Sequence, residues 1–137
     1  MKISFDVLGT PQTQGSMKAF KRGKYAVVVH DKGGALMDWR SDIALTAQKA
    51  ADGLFIERGV PVVLSAIFRL QRPASTPKRV LDPCKKPDAD KLTRALFDAL
   101  SGVLWVDDSQ VVKFTCEKRF AKPDEAPGVR VWVEWES

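Results

Sequence analysis

From Lys85 to Lys113 the chain reads KKPDADKLTRALFDALSGVLWVDDSQVVK, its densest gathering of acids. Asp88 and Asp90 follow the basic pair Lys85-Lys86, and Asp107 and Asp108 follow an apolar run. Carboxylates brought together repel one another unless a cation neutralises them or some take up protons. Carboxylate oxygens and water suit Mg²⁺, which is commonly held by one or two carboxylates together with substrate phosphates. The intervening residues must position the acids. Leu92, Ala95, Leu96, Ala99 and Leu100 recur at helical spacing, which predicts an amphipathic helix from about Lys91 to Ser101 with Gly102 as its C-terminal cap. Such a helix is about 16 Å long, and Val103 to Asp108 extends to at most about 20 Å. If that segment returns alongside the helix, Asp107 and Asp108 meet Asp88 and Asp90 at the helix N-terminus. Each acid also has a plainer reading: Asp90 as an N-cap, Asp88 as a turn residue after Pro87, and Asp107-Asp108-Ser109 as a polar loop between strands.

The KPDADKLTRALFDALSG and WVDDSQVVK stretches resemble the RusA family of Holliday junction resolvases, common in phages and prophages. Weaker similarity lies in GTPQTQGSMKAF near the N-terminus. The resemblance implies a homodimer whose subunits bind Mg²⁺ through three aspartates, here Asp88, Asp90 and Asp108. It also implies a catalytic cation one turn into the helix, where Arg94 stands in place of the family's lysine. Lys91 occupies a position where the family usually has Asn. Both departures keep or add positive charge, although a planar guanidinium is not equivalent to an ammonium.

At 137 residues the chain suits one domain, 1–137, with a core that needs no staples. Its net charge is +5 despite the acidic cluster, a balance that fits a polyanionic substrate as well as an ordinary basic protein. The two cysteines, Cys84 and Cys116, form no Cys-x-x-Cys pair, and His30 is the only histidine. A structural zinc site is therefore not expected, and free thiols point to the cytoplasm. No apolar run is long enough for a membrane span and no signal peptide is visible.

Before the acidic stretch, alternation predicts a strand over Met1–Leu8, and Gly9–Gly15 reads as a loop. The basic segment after it offers Lys18, Lys21 and Arg22 as phosphate contacts; a solvated hairpin arm is the alternative. Tyr25–His30 reads as a short strand. A helix is predicted over Leu36–Leu54 from Leu36, Trp39, Ile43, Ala47, Ala50 and Ala51. Val60–Leu70 is apolar on both faces, as a central strand would be. A basic, proline-rich loop at about 71–87 carries Arg72, Lys78, Arg79, Lys85 and Lys86, read as a flexible segment folding over DNA; a disordered connector has the same composition. Strands at Gln110–Phe120 and Val129–Glu136 close the chain. The expected fold is α+β, a mixed sheet of about five strands with two main helices.

The reading is a Mg²⁺-dependent endodeoxyribonuclease (Mn²⁺ a second candidate) acting on branched, four-way DNA. Asp88, Asp90 and Asp108 hold the metal, while Lys86, Lys91 and Arg94 offset phosphate charge. Two other readings share these residues: a metal nuclease with broader flap, fork or duplex specificity, and a branched-DNA-binding protein without catalysis. GxGxxG, P-loop, Ser-His-Asp and zinc motifs are absent, which disfavours nucleotide-binding and protease functions.

Overall fold

The computed structural model describes residues 1–15, 17–22, 25–30 and 33–136, with backbone alone for 17–22, 25–30 and 33. The first strand, β1 (Lys2–Leu8), is followed by a two-stranded ribbon of β2 (Met17–Arg22) and β3 (Tyr25–His30). Then come α1 (Gly33–Ala51), β4 (Val62–Leu70), α2 (Ala89–Leu100), β5 (Val111–Phe120) and β6 (Gly128–Trp135). The main sheet has four strands in the order β1-β6-β4-β5, parallel only between β4 and β5. This corrects the expected five-stranded sheet. Tyr25–His30 is a strand, but it pairs antiparallel with β2 in a sheet of its own. Its β-branched run favours extended backbone without specifying a partner.

β4 fills the central position expected of it, between β6 and β5. Val62, Leu64, Ala66 and Phe68 are buried on its helix-covered face, and Val63, Ser65 and Ile67 are half-buried on the other. The helical stripe Leu36, Trp39, Ile43, Ala47 and Ala51 is buried on α1 as predicted. On α2, Leu92, Ala95, Leu96, Ala99 and Leu100 are buried, so the predicted apolar face is also the observed one. Phe97 meets Phe114 of β5 edge to face, with ring centroids 5.1 Å apart.

Parallel neighbours require a crossover, and α2 provides it between β4 and β5. The proline-rich loop therefore leaves the C-terminal end of β4 and delivers the chain to the N-terminus of α2. After α2 the chain turns sharply and re-enters the sheet at the opposite end, where Val111 pairs with Val62. Among the described residues no helix is long and apolar enough to cross a membrane. Cys84 and Cys116 are free thiols.

Candidate functional site

α2 begins two residues earlier than periodicity suggested. Asp88, not Asp90, is its N-cap, with extended backbone (φ −74°, ψ 136°), and Asp88 O accepts the Leu92 N–H at 3.0 Å. The Asp88 carboxylate makes no capping hydrogen bond. It is half-exposed, and its polar neighbour is Lys91 Nζ at 3.8 Å. Asp90 lies in the first helical turn and is exposed. Residues two apart within a helix face away from each other, but Asp88 stands outside the helix and escapes that constraint. Two solvated carboxylates thus sit at the positive end of a helix dipole, where negative charge is favoured.

The loop from Gly9 to Gly15 lies over this helix end. Gln14 N–H donates to Lys91 O at 3.1 Å. Gly15 has φ +106°, and a side chain there would collide with the Arg94 guanidinium. The backbone conformation favours glycine here, and a side chain would also push the exposed Arg94 guanidinium aside. Thr10–Thr13, Gln71, Lys86, Asp88 and Lys91 line a cleft of about 380 Å³. Arg94 is exposed and Lys91 half-buried.

Of the loop cations, Lys78, Arg79, Lys85 and Lys86 are exposed. Arg72 is committed elsewhere. Its guanidinium donates to Val80 O and Pro77 O, both at 2.8 Å, and stacks over the Phe120 ring at 5.0 Å. In this arrangement it organises the loop. The side chains of Lys18, Lys21 and Arg22 lie outside the described ones.

Asp107 and Asp108 lie at the other end of α2. Val103–Asp108 does not return alongside the helix to its N-terminus. Gly102 (φ +80°) turns the chain, its N–H donating to Trp105 O at 2.7 Å, and Ser101 bridges to Trp105. Asp108 Oδ1 accepts from Ser101 Oγ and, at 3.4 Å, from Trp105 Nε1. Asp107 accepts from Ser109 Oγ at 2.7 Å, and this hydrogen bond holds its carboxyl below the usual carboxylate range. Buried Gln110 secures the segment. Its Oε1 accepts from Val106 N–H (2.9 Å) and Asp107 N–H (3.1 Å), while its Nε2 donates to Glu57 O (2.7 Å) and Val60 O (3.2 Å). From Asp88 to Ser101 the helix rise is roughly 20 Å. Asp108 therefore does not join Asp88 and Asp90 within one chain, and among the described residues no three potential ligands converge on one cation position.

Residue reading missed two supports. Gln110 follows Asp107 at capping-box spacing, a signal present in the sequence. Lys118, whose Nζ donates to Lys85 O (2.8 Å) and Pro87 O (2.9 Å), leaves no such signal, because its partners are main-chain carbonyls remote in sequence.

The crossover thus gathers two solvated acids and several cations at one helix N-terminus. Residues 9–134 match the family model described as Endodeoxyribonuclease RusA. The chain belongs to the RusA family of Holliday junction resolvases, nucleases that cut DNA internally. It is also similar to the uncharacterized protein YqaN of Bacillus subtilis (strain 168), 28% identical over 141 residues, covering 96% of this chain and 94% of that one.

Proposed function

We propose that this chain is a divalent-cation-dependent endonuclease that resolves four-way DNA junctions as a homodimer, by paired phosphodiester hydrolysis. The observation that carries the reading is the pair Asp88 and Asp90. Among the described residues neither carboxylate accepts a hydrogen bond from the protein; Asp88 lines the cleft with Lys86 and Lys91, and Asp90 is exposed in the first turn of α2 beside it. Their chemistry fits Mg²⁺, and Mn²⁺ by the same oxygen donors, since one or two carboxylates plus substrate phosphate oxygens commonly complete such a site. When bound there, the cation supplies Lewis-acid stabilisation of charge developing on a phosphate.

The chain's own residues do the rest. Lys91 lies beside Asp88, its Nζ 3.8 Å from the carboxylate, and adds positive charge at the helix N-terminus. Arg94, exposed beside Gly15, presents a planar donor set suited to phosphate oxygens. Lys78, Arg79, Lys85 and Lys86 give the approach to the site a positive potential that attracts DNA. A homodimer gives the separated Asp108 a role in the same chemistry. Two α2 helices running antiparallel about a twofold axis would set the Asp108 end of one beside the Asp88 end of the other. A twofold dimer also matches the symmetry of a four-way junction and allows two coordinated nicks.

The test is cleavage of a labelled synthetic four-way junction, with linear duplex and a fork as controls. Symmetric nicks on the junction that vanish with chelator and in Asp90→Asn support the proposal. Equal cutting of all three substrates indicates broader specificity. Tight junction binding without cutting in any divalent metal rules out catalysis.

A further inference from the structure

Lys118 is the one described side chain that ties the end of the proline-rich loop to the sheet through two hydrogen bonds. Its Nζ donates to Lys85 O at 2.8 Å and to Pro87 O at 2.9 Å. These carbonyls bracket the last residues before Asp88. Lys118 itself is immobilised on β5, where it pairs with Phe68 of β4, and Phe68 is fully buried. The ammonium thus transfers the rigidity of the parallel strand pair to a segment without a ladder of its own. Backbone carbonyls in such a segment need partners, and a charged donor makes the stronger bond.

Main-chain bonds from Leu92 N–H to Asp88 O and from Gln14 N–H to Lys91 O hold the first turn of α2, but no other described side chain secures the residues just before it. The Asp88 side chain makes no capping bond, and its contact with Lys91 is long, at 3.8 Å. Where Asp88 and Asp90 stand relative to each other therefore follows from where Pro87 hands the chain to α2. We infer that Lys118 is a positioning residue for the Asp88/Asp90 pair: it sets the separation of the two carboxylates through the backbone and so tunes their affinity for a divalent cation. This rests on the proposed metal-dependent nuclease reading of the same site.

The experiment compares wild type, Lys118→Met, Lys118→Arg and Asp90→Asn as full chains, after circular dichroism has established that each is folded. Mn²⁺ binding without DNA is followed by electron paramagnetic resonance, and junction cleavage is titrated with Mg²⁺. Hydrogen exchange is read over residues 85–91. Lys118→Met is expected to weaken Mn²⁺ binding and raise the Mg²⁺ midpoint by about 10-fold, the range typical of residues that orient ligands. Exchange over 85–91 should accelerate, and KM for the junction at saturating metal should stay at the wild-type value. Lys118→Arg, which keeps two donors, should recover most of the loss.

Three results overturn the inference. One is unchanged Mn²⁺ binding and Mg²⁺ midpoint in Lys118→Met, even if its melting temperature falls. Another is a raised KM with a shallower salt dependence at unchanged metal affinity, which makes Lys118 a DNA contact. The third is a wild type that binds no Mn²⁺, or an Asp90→Asn variant that cuts normally. That outcome removes the metal-site reading and the inference with it, and it is recognised without reference to Lys118.

Discussion

The two ends of α2 carry the same residue type in opposite circumstances. At the N-terminal end, Asp88 and Asp90 are solvated, and their carboxylates are left uncommitted by the described protein groups. At the C-terminal end, Asp107 and Asp108 accept hydrogen bonds from Ser109, Ser101 and Trp105, while Gln110 fixes their backbone. Protein groups thus satisfy the acids at one end and leave those at the other to solvent. The supports differ as well. One end hangs from a strand lysine through main-chain carbonyls, and the other is locked by a buried amide.

The sharpest way to break this contrast is to remove charge from the uncommitted end. Asp90→Asn is expected to reduce junction cleavage by more than the ~10–100-fold typical of residues that only orient ligands. Junction affinity in a filter-binding or mobility-shift measurement should be retained. Mixing Asp90→Asn chains with Asp108→Asn chains sharpens it further. If the two ends meet across a dimer, the heterodimer regains one intact site, and single-strand nicking returns although neither variant cuts alone.

The opposite substitution probes the committed end. Gln110→Ala strands the Val106 and Asp107 N–H groups and the Glu57 and Val60 carbonyls. Because these groups lie on exposed or half-buried residues that water can partly reach, chemical denaturation should show a loss of about 1–3 kcal/mol, the penalty of roughly one buried group left unpaired. Gly15→Ala should cost about 1 kcal/mol or more, because its left-handed backbone does not suit alanine. It should also lower cleavage by displacing Arg94 while leaving the C-terminal end intact.

The smallest expected effect lies away from both ends. Arg119 donates to both oxygens of Glu125, at 2.7 and 2.9 Å. With its backbone hydrogen bond from Lys122, this holds the Glu125 carboxyl at about 2, below its ordinary 4.5. A carboxyl depressed in the folded state stabilises fully above its unfolded value. That contribution is lost as pH falls from about 4.5 towards 2. A thermal melt series across this window should show Glu125→Gln losing less stability on acidification than wild type.

Periodicity and residue chemistry determined much of this protein. The apolar stripes of both helices, the central strand at Val62–Leu70, the closing strands and the acidic motif with its family resemblance were all legible. All are local signals: burial on one face imposes a repeat of 3.6 or 2 residues on the helices and closing strands, the central strand is a continuous apolar run, and the motif lies in two short stretches. Pairing and placement were not legible. Tyr25–His30 joins a separate ribbon because extended propensity carries no information about the neighbouring strand. Asp108 stays at the far end of α2 because a turn at Gly102 and a hydrogen bond to Ser101 capture it there. A count of residues gave only the longest distance the segment could reach. Lys118 reaches Lys85 and Pro87 only once β5 lies beside the crossover. Such contacts join groups remote in sequence through the backbone, which every residue shares, so only the tertiary structure could decide them.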